Sequence, residues 1–277
     1  IKSSAASDVY KRQAHGFAAS IGGYKSSFHH NILANCAGRN PSIGGNDQNH
    51  TLWLDFRNCV ISNWEHRTCD GKPLSINLVN NYYKPGPATH ADVKRRVARI
   101  DNSEKLGFSG MWYIEGNVVE GYPEISANNW NGGVDFEEGA SMEKNRKTEP
   151  FKVAPVTTQS AEEAYQLVLK YAGCYPYRDS QEKRIIEQIR TGKYACTPNG
   201  IVDNVEQVGG WPVLKGGQKA VDTDKDGMPD EWEKKNGLNP NDPSDATQIA
   251  ANGYMNIENY INCLLYTSPS PRDPKTS

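Results

Sequence analysis

No window of the 277-residue chain stays apolar over the ~18 residues that a bilayer-spanning helix needs, so a helical membrane protein is excluded. Charge of one sign is lacking too. With 31 Lys and Arg against 33 Asp and Glu, the formal net charge of -2 provides no broad basic surface for nucleic acid. Cysteine is sparse: of the six present, none forms a CxxC pair or a Cys/His cluster at zinc-ligand spacing. Cys174 and Cys196 flank one helix-sized segment, and both a disulfide in an oxidising compartment and two small buried thiols fit them. What the chain has instead is Gly, Asn and Tyr in place of Leu, a mix that suits a loop-rich β protein rather than a long helical bundle.

Both ends read poorly as folded structure. SSAASDVYKRQ (3–13) and CLLYTSPSPRD (263–273) resemble translated sequencing-adapter sequence, as found at the edges of reading frames assembled from environmental DNA. Segments 1–13 and 263–277 are therefore expected to contribute nothing to the fold, and any signal peptide is expected to lie upstream of the given sequence.

Between residues 24 and 120 the chain runs as short segments of alternating apolar residues, each closing on Asn and a turn: SSFHHNILANC, LWLDFRNCVISNW, LSINLVNNYYKPG and MWYIEGNVVEG. Asn31, Asn58, Asn80 and Asn117 recur at comparable places. Stacked turns of this kind let Asn side chains satisfy the backbone groups of neighbouring turns, which predicts a β-solenoid, with a β-sandwich as the alternative. After residue 155 the period becomes helical. Ser160 and Glu163 form a capping box, Ala164, Leu167, Val168 and Tyr171 share a face, and a second helix is predicted over 180–190 with Ile185, Ile186 and Ile189 apolar. These helices are expected to cover part of the solenoid.

DTDKDGMPDEWE (222–233) has the spacing of an EF-hand-type loop. Asp222, Asp224, Asp226, Asp230 and Glu233 fall at positions 1, 3, 5, 9 and 12, Gly227 takes the sharp turn at 6, and Met228 offers its carbonyl at 7. Oxygen donors around a glycine turn suit Ca2+. Pro229 is expected to open a short helix reaching Asn236, stopped by Gly237.

FHHNILANCAGRNP (28–41), NNYYKPGPAT (80–89), YIEGNVVEG, ANNWNGG and the two helix segments together resemble the pectate lyase family, polysaccharide lyase family 1-like, most closely the branch encoded by Bacteroidetes. The resemblance implies an all-β chain built as a right-handed parallel β-helix, with C-terminal helices and a calcium-loop tail. It divides the chain into solenoid coils (14–155), a helical segment packing on them (156–215) and the calcium tail (216–262). It also implies a secreted monomeric enzyme that cleaves polygalacturonate or pectin by β-elimination, giving 4,5-unsaturated oligogalacturonates.

Arg39, in the RxP that follows HHN, matches the arginine assigned in that family to take the C5 proton of galacturonate. A side chain with an ordinary pKa above about 12 is an awkward base, so neighbouring cations have to favour its neutral form, or the arginine acts by stabilising negative charge. Two of the family's cations are missing. Ser42, Ile43 and Gly44 stand where a second arginine is common, and Phe17 stands where a lysine is common. Lys25, His66, Arg67 and Lys84 are the candidates to bind substrate in their place. The resemblance puts the catalytic calcium on coils preceding residue 14. Two other readings stay open: a non-catalytic pectin-binding solenoid, and a pectin hydrolase, which needs paired carboxylates where Asp47, Asp55, Glu65 and Asp70 are scattered.

Overall fold

The computed structural model describes residues 16–44, 52–175, 178–213 and 220–265. Segment 1–13 and Asp47 lie outside the described residues. At the other end a helix, Asn256–Leu265, runs past residue 262 into the segment expected to be unstructured.

Three short strands recur in the same order along the chain, and each set of three makes one rung. The first rung holds β1 (Ser20–Ile21), β2 (Tyr24–His29) and β3 (Ile32–Ala34). The second holds β4 (Ser42–Ile43), β5 (Trp53–Arg57) and β6 (Val60–Ser62), and the third β7 (Cys69–Gly71), β8 (Ser75–Val79) and β9 (Tyr82–Lys84). β10 (Ala98–Ile100), β11 (Met111–Glu115) and β12 (Val118–Val119) make the fourth, and β13 (Val134–Phe136) begins another. Like strands pair only with like strands: β1-β4-β7-β10-β13, β2-β5-β8-β11 and β3-β6-β9-β12 are three sheets whose pairings are all parallel. Stacked parallel sheets of this kind fit a parallel β-helix, and they do not fit the antiparallel strands of a β-sandwich.

Alternation within each strand builds the core. Phe28 lies beside Phe56, then Leu78, then Ile114, and Leu54 beside Ile76 and Trp112. On the third sheet Leu33, Ile61, Tyr83 and Val119 continue one another. All but Phe28 are buried. The ladder of unlike volumes lets rungs of different loop length stack with their inward faces in register.

The turns between the second and third sheets hold the asparagines, and the structure divides them into two rows where the sequence reading saw one. In the first row His30, Asn58, Asn80 and Gly116 all have positive φ, between 51° and 68°. Gly is required in the fourth rung because a Cβ on Gly116 would collide with the Asn80 side chain. One residue further on, Asn31, Cys59, Asn81 and Asn117 stack. Asn117 Oδ1 accepts from Asn81 N at 3.0 Å, and Asn81 Oδ1 accepts from Cys59 N at 2.9 Å. The lower end is held by Asn129, whose Oδ1 accepts from Asn117 N at 3.0 Å.

Helices Ala161–Tyr171 and Ser180–Thr191 cover the outer face of the third sheet. Tyr165, Val168, Leu169, Ile186 and Ile189 are buried with Val60, and Tyr165 stacks on Tyr82 with ring centroids 4.4 Å apart. Each such side chain removed from water contributes about 1.5–3 kcal/mol. The Ser160–Glu163 capping box is formed as the sequence indicates, whereas Tyr171, assigned to the apolar face, is exposed at the last turn. Leading into the first helix, Gln159 accepts at its carbonyl from Asn58 and Asn80 at 2.9 and 2.8 Å, pinning the connection onto the turn row.

Contacts divide the described residues into two compact units, one up to residue 172 together with 180–211, the other from 173–179 and from 212 onward. The second unit contains the acidic loop, helix Asp230–Asn236 ended by Gly237 at φ 75°, and helix Asn256–Leu265. Trp232 and Tyr260 pack these helices together, ring centroids 5.3 Å apart.

Candidate functional site

Register brings three arginines into one row beside the five-stranded sheet. Ser42 pairs with Asp70, and Asp70 with Arg99. Arg39, Arg67 and Arg96 each stand three residues before one of these partners, so successive rungs present an arginine at the same place. Strands sit about 4.8 Å apart, so the backbone positions that carry these arginines are spaced on the scale of one sugar ring.

Arg39 has φ 56°, in the left-handed region, and its guanidinium lies 4.5 Å from the Phe17 ring centroid. Arg67 shares that ring at 5.8 Å. Phe17, standing where the resembled family has a lysine, thus supplies a π face under two cations. No carboxylate among the described residues pairs with Arg39. Arg67 is anchored: its Nε lies 2.9 Å from Asp70 Oδ2, and Ser42 Oγ donates to the other oxygen of Asp70. Below it Asn40, fully buried, donates from Nδ2 to the Arg67 carbonyl at 2.8 Å and so ties the Arg39 turn to the Arg67 turn. Gly38 leaves room for this packing, since a Cβ there would sit 3.1 Å from His66 Nε2 and 3.2 Å from Arg67 Cβ. Arg96 is more fully engaged, with Asp135 at 3.0 Å and the His66 carbonyl.

His66 lies in the same region, half-exposed, with Glu65 3.7 Å from its Nδ1. The other two candidate cations are elsewhere. Lys25 belongs to the second sheet, where its Nζ lies 5.3 Å from both the Tyr24 and the Trp53 ring centroids. Lys84 is on the third sheet beside Tyr165, paired with Glu120 at 3.0 Å. The reason is topological: charge on a strand is readable from sequence, but which sheet that strand joins depends on register. Arg96 escaped the sequence reading for the same reason. Its signal was the recurrence of an arginine at Arg39, Arg67 and Arg96, at about one rung's spacing.

His29 and His30 serve packing. Their Nδ1 atoms are 2.8 Å apart, and His30 Nε2 meets the Gln159 side chain at 2.8 Å. The acids a hydrolase would need are dispersed. Asp55 is buried in the second sheet, where Arg57 donates to it from Nε at 2.7 Å, Glu65 sits between His66 and His90, and Asp70 belongs to Arg67.

In the second unit the acidic loop forms a candidate metal centre. The donor oxygens of Asp222, Asp224 and Asp226 lie within 4.8 Å of one another, and those of Asp226, Glu233 and Asp245 do so as well. Asp230, expected as a ligand, is turned away from the cluster. Both its oxygens accept from Thr223, from N and from Oγ1, each at 2.8 Å. Asp245 joins from a 3-10 turn, Asp245–Thr247, twelve positions beyond Glu233. Met228 is buried at the loop position where its carbonyl was expected to serve. Burial, and then the surrounding aspartates, push the Glu233 carboxyl up to about 7. Four of these acids keep buried oxygens with no donor: Asp224 Oδ2, Asp226 Oδ2, Asp245 Oδ1 and both oxygens of Glu233. A hard divalent cation matches that all-oxygen donor set.

Stacked parallel sheets with cations aligned along one edge define a class, the proteins built like a parallel β-helix that present charge across successive rungs. Known proteins narrow it. No protein-family model matches the chain. It is similar to proteins named probable pectate lyase C from Aspergillus fumigatus (28% identical over 246 residues, 86% of this chain and 53% of the relative) and Neosartorya fischeri (28% over 247 residues, 86% and 53%). The same name is carried by a relative in Aspergillus flavus, 27% identical over 250 residues (87% and 54%). The chain is pectate lyase-like, and it spans about half the length of the curated relatives it matches.

Proposed function

We propose that this chain carries part of a secreted pectate lyase, a right-handed parallel β-helix that cleaves α-1,4-linked polygalacturonate by β-elimination. The observation that carries the reading is Arg39, a cation with no carboxylate partner among the described residues, held on an aromatic face beside a second, anchored arginine. Arg67 and His66 extend the substrate-binding edge. In this reading Arg39 removes the C5 proton, the electron pair forms the C4=C5 double bond, the C4–O bond breaks, and the departing oxygen takes a proton from water. Arg67, over the same ring, is placed to hold a substrate carboxylate, so substrate binding and proton abstraction come from adjacent groups. The dispersed Asp55, Glu65 and Asp70 support elimination over hydrolysis, for which two facing carboxylates are needed. The acidic loop of the second unit, which fits Ca2+ by its donor chemistry, would hold the ion through Asp222, Asp224, Asp226, Glu233 and the Met228 carbonyl.

Mass spectrometry of the products of polygalacturonate digestion tests the reaction type. Elimination leaves non-reducing ends one water lighter than hydrolysis does; hydrated ends alone would overturn the lyase reading. The substrate edge is tested separately. Arg67→Ala removes a charge-assisted contact worth about 1.5–3 kcal/mol, and KM is expected to rise roughly tenfold or more with a smaller change in kcat. An unchanged KM would remove Arg67 from the substrate edge.

A further inference from the structure

Glu233 and Asp245 are buried to more than nine-tenths, at 0% and 5% exposure, yet three of their four carboxylate oxygens have no donor. No lysine or arginine among the described residues pairs with either of them. Ionised oxygens left bare at that depth cost several kcal/mol each, a penalty that a bound cation removes. The remaining oxygen of each neighbouring aspartate is fixed by backbone. Asp224 Oδ1 accepts from Asp226 N at 3.3 Å, Asp226 Oδ1 from Met228 N at 2.7 Å, and Asp245 Oδ2 from Asn239 N at 2.9 Å. Each aspartate is thus oriented with one oxygen held and the other bare.

The donor oxygens form two overlapping groups. One is Asp222, Asp224 and Asp226, within the loop; the other is Asp226, Glu233 and Asp245, and Asp226 belongs to both. Asp222 differs from the rest because both its oxygens accept from backbone, from Lys225 N at 2.7 Å and from Gly227 N at 3.2 Å. Charge separates a one-ion from a two-ion site. Five carboxylates bring -5; one divalent cation leaves -3 within a few ångströms, and a second leaves -1. Repulsion of the size that remains after one ion, next to the buried Glu233 and Asp245, favours filling the second group. Geometry agrees, because Asp245 comes from outside the loop and has no role in an ordinary twelve-residue calcium loop, whereas Asp230 at loop position 9 is committed to Thr223.

We infer that the second unit binds two adjacent Ca2+ ions, one inside the loop and one between Asp226, Glu233 and Asp245, with Asp226 bridging them. The inference rests on the reading of the loop as a calcium site and extends it. Occupation of the second position ties the loop, helix Asp230–Asn236 and the segment around Asn239–Asp245 to a common centre.

Counting Ca2+ bound by the full chain, by equilibrium dialysis of calcium-depleted protein and by native mass spectrometry, decides the matter. Two ions per chain are expected in the parent and one in Asp245→Asn, with the parent count standing as the test even where the variant folds poorly. One ion per chain in the parent, retained unchanged in Asp245→Asn, would overturn the second site and leave the loop reading intact. No bound Ca2+ in the parent would overturn both.

Discussion

Arg39→Ala is expected to lower turnover on polygalacturonate by about 10²–10⁴-fold, the contribution of a positioned proton-transferring group, with little change in thermal stability. The stability expectation follows from position: the side chain is half-buried on Phe17, has no ion pair among the described residues, and sits on a turn that Asn40 holds through its own buried bonds. Arg39→Lys keeps a cation but loses the planar guanidinium that stacks on Phe17, so activity is expected to recover only in small part. The split between kcat and KM distinguishes the roles. Loss at Arg39 falls on kcat, whereas loss at Arg67 falls on KM. Comparable KM defects in both variants, with kcat intact, would reduce Arg39 to a binding residue.

Stability is expected to depend most on the inner asparagine row. Asn117 is fully buried and donates from Nδ2 to the Leu78 carbonyl at 2.7 Å and to Asn129 Oδ1 at 2.9 Å, while its Oδ1 accepts from both nitrogens of Asn81. Leu has nearly the same volume but satisfies none of these groups. Several buried donors and acceptors are orphaned at once, each costing about 1–3 kcal/mol, and Asn117→Leu is expected to destabilise by about 3–5 kcal/mol. Asn31→Leu, in the same row but exposed at its upper end, is expected to cost under about 1 kcal/mol. Urea unfolding checks both: the midpoint should fall steeply for Asn117→Leu at constant m and hardly move for Asn31→Leu. Equal shifts would show that the row does not act through buried hydrogen bonds.

The elements most legible in the sequence are those fixed by local pattern. Alternation marked the paired strands of every rung, as in LWLDFRNCVISNW, because inward and outward positions are set by a period of two regardless of partner. Capping chemistry marked Ser160 and Gly237 in the same local way. Register is different, since loops between matching residues vary from 22 positions (Leu54 to Ile76) to 36 (Ile76 to Trp112). Nothing local announces that Asn80 belongs with Gly116 while Asn81 belongs with Asn117, so two rows were read as one. The same non-locality put Lys25 and Lys84 on sheets other than that of Arg39, and hid Arg96 and Asp245, whose neighbours are supplied by the fold. Arg39 was legible for a further reason: HHN and RxP surround it with a pattern that carries a family resemblance.

Elimination at Arg39 is the step from which the proposed roles of Phe17, His66 and Arg67 follow. Ultraviolet absorbance of 4,5-unsaturated ends, followed during incubation of polygalacturonate with the protein and with its Arg39→Ala variant, tests it most directly. A steady rise for the parent that is lost in Arg39→Ala, while both bind the polymer, is the expected result. Binding without any rise in the parent, or an equal rise in both, would contradict it.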